Sequence, residues 1–240
     1  MGRLALIGGH SILGAEPGPG FELRRVETED GPVEIHERGD TLLMQRHGLD
    51  RYTTAAQLDH ARNLRALAAL GCDRILAVGS VGALRPELGV GTFLCPDDFI
   101  ALQLGLSLRD GHGGERVPEF DPAWRAQVTS AWVRSAEPAL RDGGTYWQAI
   151  GPRFETPAEI RLIAAHADVV GMTIASECIL AGELGIPYAA VCVVDNLANG
   201  IASEPLSVAE FEAGKAANRA RLIAAIDAVA AQLEREAAGP

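Results

Sequence analysis

Lysine is almost missing from this chain. Lys215 is the only one, and every other fixed positive charge is an arginine. Acidic residues outnumber basic ones by 32 to 21, giving a formal net charge of −11. General nucleic-acid binders and membrane-surface binders need a basic footprint, so the charge balance argues against both. An anionic small molecule remains open as a ligand, provided its site is built locally. Cysteine is scarce too: Cys72, Cys95, Cys178 and Cys192 are widely spaced, with no C-x-x-C. That leaves no zinc spacing and no disulfide framework, and Cys192, inside an apolar run, reads as a buried small hydrophobe. No stretch of about 18 or more apolar residues occurs, so nothing is expected to span a membrane. The opening MGRLALIGGH has too short an apolar run for a signal peptide. The expectation is a cytoplasmic protein, and 240 residues suit a single α/β domain over 1–240.

What is present is an alternation of strand and helix signals. Arg3 to Ile7 is a short apolar run ended by Gly8-Gly9. Val33 to His36 and Thr41 to Gln45 read as a hairpin around ERGD. A helix is expected from Thr54 to Leu70, stopped by Gly71. Arg74 to Val78 reads as a strand, Phe93 to Leu102 as another, and Leu104 to Gly114 as a polar surface loop. Pro122 to Ala136 is helical. Thr145 to Ile150 is a strand. Thr156-Pro157-Ala158-Glu159 fits a capping box that opens a helix to about His166. Strands at Asp168 to Met172 and Tyr188 to Val194 flank a helix from Ser176 to Leu184. A second capping box, Ser207-x-x-Glu210, opens a C-terminal helix with Leu222, Ile226, Val229 and Leu233 on one face. The pattern predicts an α/β fold: a mixed central sheet with helices on both faces.

Several strands end in glycine-rich or polar residues. They are IGGHSILG, LMQRHG and AVGSVGAL. Consecutive backbone N–H groups in such turns can cradle an anion, with Arg46 as a charge-assisted contact and His47 as a further donor. Each has a plainer reading: a tight turn, a surface ion pair for Arg46, a satisfied core histidine for His47. None matches G-x-x-x-x-G-K-[ST] or G-x-G-x-x-G, and no local Ser-His-Asp or Cys-His unit is present. In CVVDNLANG, Asp195 and Asn196 follow a strand too apolar to be exposed, so their polar groups need partners. They form either an Asx turn or an amide that reads a ligand edge. In GPRFETPAE, Phe154 and Glu155 lie just ahead of a helix, where α/β sheets collect ligands. They are a loop anchor with a solvated acid, or an aromatic face beside a carboxylate for a flat ligand.

The order of IGGHSILG, QRHG, GSVGAL, GPRFETPAE, VVGMT and VVDN resembles the trimeric purine nucleoside phosphorylase and 5′-methylthioadenosine phosphorylase family, over roughly Leu6 to Asn196. The resemblance implies attack of inorganic phosphate on a purine nucleoside, with no metal or organic cofactor. It implies a phosphate site at His10, Ser11, Arg46, His47, Gly79 and Ser80. Met172 and Thr173 would lie near the ribose, Phe154 would face the purine, and Glu155 and Asn196 would be the catalytic pair reading its edge. Asp195 is the alternative reader if the register shifts by one residue. Val208 would cover the 5′ position, and Phe120 would reach a neighbouring subunit.

By the same resemblance, Asn196 with Glu155 implies a 6-oxopurine, and the absence of a 5′ histidine implies a 5′-methylthio substrate resembling 5′-methylthioinosine. The alternatives are a methylthioadenosine phosphorylase, an inosine or guanosine phosphorylase, a nucleosidase using water, and a non-catalytic nucleoside- or phosphate-binding protein. The implied assembly is a homotrimer or a dimer of trimers.

Overall fold

The computed structural model describes residues 2–12, 15–49, 52–109, 114–202 and 206–238. Along them run β1 (Arg3–Gly8), β2 (Glu22–Val26), β3 (Val33–Arg38), β4 (Thr41–Gln45), α1 (His60–Ala69), β5 (Cys72–Ala83), β6 (Phe93–Cys95) and β7 (Asp98–Ile100). Then come α2 (Pro122–Ser135), β8 (Leu140–Asp142), β9 (Thr145–Gln148), α3 (Pro157–Ile163), β10 (Val169–Gly171), α4 (Ile174–Glu183), β11 (Tyr188–Leu197) and α5 (Val208–Ala238). The strands form one mixed eleven-stranded sheet.

Helices cover both faces because the central strands are apolar on both. In β1, Ala5 and Ile7 enter one core while Leu4 and Leu6 enter the other. In β11, Ala190, Cys192 and Val194 alternate in the same way with Ala189, Val191 and Val193. Leu64 and Leu67 of α1 and Ile174 and Cys178 of α4 close the first core. Trp124 and Trp132 of α2 and the expected stripe of α5 close the second. All four cysteines are buried free thiols. Among the described residues no helix is long and apolar enough to cross a membrane.

Strand β5 creates the opening for a site. Its first half pairs in parallel with β1, ending at Ile7↔Ala77. Its end pairs antiparallel with β10, through Gly82↔Val170 and Ala83↔Val169. β11 runs along the opposite edge from Ile75 to Ala83. On the first edge, Val78 to Val81 thus lie between two strand partners and pair with neither, among the described residues.

The structure corrects some expected boundaries. The helix predicted from Thr54 is a 3-10 turn at Ala55–Gln57, with α1 starting only at His60. Asp59 sets that start, because its carboxylate accepts from the Arg62 amide at 2.8 Å and makes a new N-cap. The strand predicted over Phe93 to Leu102 is two strands. Pro96 cannot donate to the ladder, and β6 and β7 join different neighbours, β6 pairing with β8 and β11, β7 with β9. β2 is new: Glu22 to Arg25 are exposed, so no buried face gives the alternation that marks a strand. The predicted loop at 104–114 includes residues 110–113, which lie outside the described residues.

Candidate active site

A cleft of about 720 Å³ opens at the forked part of β5. It is lined by His10 after β1, Arg46, His47 and Tyr52 after β4, and Ser80 to Gly82 of β5. Phe154 and Glu155 come from the loop before α3, and Val170 to Thr173 from the turn into α4. Asn196 of β11 and Leu206 and Phe211 at the start of α5 complete it. Ring contacts run along one wall. Phe154 meets Phe211 at 5.6 Å between centroids, Phe211 meets His10 at 5.5 Å, and His10 meets His47 at 5.9 Å. Phe154 and His47 are the first and last rings of this run.

At the His47 end, Arg46 is buried, not on the surface. Its Nε and Nη2 fork onto Glu177 at 2.6 and 2.9 Å, and Nη1 donates to the Val78 carbonyl at 2.6 Å. That carbonyl belongs to the unpaired edge of β5, so the arginine supplies the donor the sheet does not. The Tyr188 hydroxyl adds a donor to Glu177 at 2.7 Å. Burial works against both charges, but each partner outweighs it. The Arg46 pKa lies above its ordinary value and that of Glu177 below. Gly9 makes the approach possible: a Cβ there would lie 2.4 Å from Arg46 Nη1 and 2.8 Å from Val78 O.

His47 turns Nδ1 to the Thr53 carbonyl at 2.8 Å and stacks on Tyr52. Burial, and then the Arg46 charge, hold its pKa down to about 4. The ring is neutral near neutral pH. A carbonyl only accepts, so Nδ1 carries the proton and Nε2 is left as an acceptor. Burial also lowers the pKa of His10, whose Nδ1 lies 3.2 Å from the Tyr52 hydroxyl. Thr173 is the N-cap residue of α4 and makes no side-chain cap bond. The Tyr146 hydroxyl accepts from the Thr173 and Ile174 amides, and Gln148 Oε1 accepts from Ser176 N, so this helix end is largely satisfied from within.

At the Phe154 end the predicted capping box is present, with Thr156 and Glu159 bonded reciprocally. Arg153 forks onto Glu159 at 2.8 Å through both nitrogens, which draws it away from Glu155. Burial pushes the Glu155 carboxyl above its ordinary range. Asn199 Nδ2 donates to the Glu155 carbonyl at 3.0 Å and ties this loop to the end of β11. Asn196 spends one amide hydrogen on the Leu197 carbonyl at 2.8 Å and keeps the other. Gly82 gives it room, since a Cβ there would sit 3.2 Å from Asn196 Nδ2.

Nine of the residues predicted from sequence line the cleft: His10, Arg46, His47, Ser80, Phe154, Glu155, Met172, Thr173 and Asn196. Ser11, Gly79, Asp195 and Val208 are not among its lining residues. Ser11 is buried behind it and donates to Asp195 at 2.9 Å. Gly79 is packed inside β5, where a Cβ would meet Ile174 at 3.1 Å and Cys192 at 3.2 Å. Asp195 sits where the register of β11 shifts between Val194 and Asn196. Such a bulge re-aims side chains, and the Asp195 carboxylate takes bonds from Ser11, Ser80 and Asn218. Val208 is 68% exposed, and Leu206 and Phe211 on either side of it in sequence line the cleft instead. Phe120 is a core residue stacked on Tyr188, which buries it in this chain.

Sequence reasoning missed Glu177, Tyr52, Leu206 and Phe211. Glu177 carried a readable signal, as an acid inside the apolar stretch TIASECIL that must find a cation once buried. Tyr52 and Leu206 lie on irregular segments that no periodicity marks, and Phe211 sits at the start of α5, ahead of its apolar stripe.

The mixed sheet thus places a cleft at the carboxyl ends of its central strands, where α/β folds collect ligands. Residues 7–231 match the family model described as the Phosphorylase superfamily, and the chain belongs to that family. It is 36% identical over 212 residues to a probable 6-oxopurine nucleoside phosphorylase of Archaeoglobus fulgidus, covering 87% of each chain. It is 32% identical over 227 residues to the 6-oxopurine nucleoside phosphorylase of Pyrococcus furiosus, covering 88% of this chain and 85% of that one. It is also 32% identical to a probable S-methyl-5′-thioinosine phosphorylase of Methanocaldococcus jannaschii, over 86% and 83% of the two chains. A solved methylthioadenosine phosphorylase of Schistosoma mansoni, in complex with adenine, superposes with a TM-score of 0.83 at 20% identity, covering 98% of this chain and 93% of that one. At that identity the likeness shows the fold.

Proposed function

We propose that the protein cleaves 6-oxopurine nucleosides by phosphorolysis, releasing the free base and a ribose 1-phosphate. One observation carries this reading. A single cleft is lined by Phe154, Glu155 and Asn196 together with His47, Arg46 and Ser80. A phosphate oxygen attacks C1′ as the C1′–N9 bond breaks, and the purine leaves with the electron pair. Asn196 donates to O6 or N7 as negative charge develops there, and ionised Glu155 accepts from N1–H. Phe154 stacks on the base, and Met172 lies against the ribose.

A 6-amino base would need an acid in place of Asn196. The sequence offered Asp195, but three hydrogen bonds hold that carboxylate elsewhere. The apolar side chains of Leu206 and Phe211 favour a 5′-methylthio group over a 5′-hydroxyl. An apolar surface with Leu102, Ile150 and Leu162 exposed beside Glu155 suits the homotrimer implied by family. We take the enzyme to be cytoplasmic.

The test is base release from inosine, methylthioinosine and methylthioadenosine, with and without phosphate. Phosphate-dependent release, fastest with methylthioinosine, is expected. Equal release without phosphate makes the protein a nucleosidase, and no release from any of them makes it a binding protein. Preference for methylthioadenosine overturns the role given to Asn196.

A further inference from the structure

The Asp195 carboxylate lies one hydroxyl behind the cleft and is the acceptor for groups from several elements. Ser80 Oγ of β5 donates to its Oδ2 at 2.5 Å and Ser11 Oγ to the same oxygen at 2.9 Å. Asn218 of α5 donates to Oδ1 at 2.9 Å. A serine hydroxyl has one proton and a carboxylate only accepts. The Ser80 proton therefore points at Asp195, and what Ser80 offers the cleft is lone pairs. His47 offers the same, because its proton sits on Nδ1 against Thr53 O. Three of the five Arg46 N–H groups already have protein acceptors, and Nη1 and Nη2 keep one each, which can meet the unprotonated oxygens of an oxyanion. Ser80 and His47 thus both present acceptors here, and the Arg46 charge is matched by Glu177.

We propose that Asp195 is a positioning residue that selects the protonation state of the phosphate nucleophile: by holding the Ser80 proton it makes this end of the cleft take dihydrogen phosphate monoanion. That species brings two O–H groups, one for Ser80 Oγ and one for His47 Nε2. The dianion brings one, and sulfate, of the same size and shape, brings none. An unprotonated oxygen of the monoanion attacks C1′, and the purine departs with the C1′–N9 electron pair. The ester formed holds both protons and passes one to the departing purine, so charge and protons balance. The inference rests on the phosphorolysis reading above and deepens it.

Near neutral pH the phosphate itself is what titrates. Beyond its partners Ser11, Ser80 and Asn218, the titratable group that feels the Asp195 charge is His10, which has Glu212 and Lys215 of α5 beside it, while the Arg46–Glu177 pair is joined on its own. Burial and then Lys215 keep the pKa of His10 below its ordinary value, against Glu212 and Asp195. His47 is lower still.

The experiment measures the KM for total phosphate with saturating methylthioinosine, from mildly acidic to mildly alkaline pH across the second ionisation of phosphate. Sulfate is tested as a competitor at each pH. KM should rise about tenfold for each pH unit above that ionisation, as the monoanion is depleted. Sulfate should inhibit weakly and equally throughout. In Asp195→Asn, the new amide donates to Ser80 and turns its proton into the cleft. The KM profile should flatten and sulfate inhibition should strengthen, with the far-ultraviolet circular dichroism unchanged. The wild-type profile is decisive without the variant.

A pH-independent KM overturns the proposal. So does sulfate inhibition that grows on acidification in step with phosphate, which would mark His10 as the titrating group. A folded Asp195→Asn protein with the wild-type profile overturns it as well. No phosphate-dependent release at any pH overturns the phosphorolysis reading and this inference together, whereas release with a flat KM overturns only this one.

Discussion

Arg46 is worth removing first, because its loss should cost stability as well as phosphate binding. From sequence alone, Arg46→Ala would be expected to weaken phosphate binding and leave the fold intact. The structure predicts otherwise. Arg46 and Glu177 are 3% and 1% exposed, joined by two charge-assisted bonds. Removing one partner of a buried pair strands the other charge, which costs about 3–5 kcal/mol. In a chain of this size each 1 kcal/mol lowers Tm by about 2–4 °C, so either Arg46→Ala or Glu177→Ala should melt roughly 6–20 °C lower. The double variant Arg46→Met/Glu177→Leu removes both charges and fills the space. Its loss should be close to that of one single variant, not the sum of two, with the orphaned Val78 carbonyl and Tyr188 hydroxyl accounting for about 1–3 kcal/mol each.

The pair also has a pH signature. Glu177 titrates below its ordinary 4.5 in the folded chain, so its contribution is complete above 4.5 and is lost as pH falls through the folded pKa. The gap between wild type and Arg46→Ala should therefore narrow in acid. Thermal melts at neutral and acidic pH test all of this. Melting temperatures of the single variants within about 2 °C of wild type, or strictly additive losses in the double, would refute the argument.

Other outcomes follow from single residues. Glu155→Gln loses a charge-assisted bond to N1–H, so kcat/KM for a 6-oxopurine nucleoside should fall roughly 10- to 150-fold, about 1.5–3 kcal/mol. Because burial raises the Glu155 pKa, the acid limb of the wild-type pH–rate profile should begin above the ordinary 4.5, and a limb at or below it would contradict the assignment. Asn196→Asp should move preference from methylthioinosine toward methylthioadenosine, and an unchanged ratio of kcat/KM values would place Asn196 away from the base. Gly214→Ala drives a Cβ to 1.8 Å from the Asp195 carbonyl oxygen, so α5 must shift. A loss of about 1–3 kcal/mol in denaturant unfolding is expected. Phe211→Ala removes an apolar wall and should cut the preference for methylthioinosine over inosine.

Sequence legibility tracked how local each cause was. The capping box at Thr156 and Glu159 was readable because its two hydrogen bonds join residues three apart, and it is in place. The stripe Leu222, Ile226, Val229 and Leu233 was readable because burial on a helix has a period, and all four are buried. By contrast, α1 starts late because Asp59 caps it, and a cap competes with a propensity that extends further back. Asp195 and Asn196 are neighbours with opposite duties. The bulge that separates them depends on how β11 registers against β5, which the residues VVDN do not reveal. The sequence around Arg46 suggests an anion ligand or a surface ion pair, and the residue forms a buried pair whose partner, 131 positions away, no local pattern marks.

The cleft lies where it does because of one strand. β5 spans 12 residues, and on one edge β1 covers its beginning and β10 its last two. The gap between them exposes backbone acceptors that the sheet cannot satisfy. Arg46 answers for Val78, and its charge then requires Glu177 in the first turn of α4 and Tyr188 at the start of β11 to sit against it. Ser80, in the same gap, turns its side-chain hydroxyl to Asp195. Arg46, Glu177 and Tyr188 are thus demanded first by an interrupted ladder, and a ligand uses what they leave unspent. In a chain of net charge −11, with its one buried arginine here matched by an acid, little net positive charge is left to attract an anion. Discrimination at this end then falls to the direction of hydrogen bonds, as it does at the other end through Glu155 and Asn196.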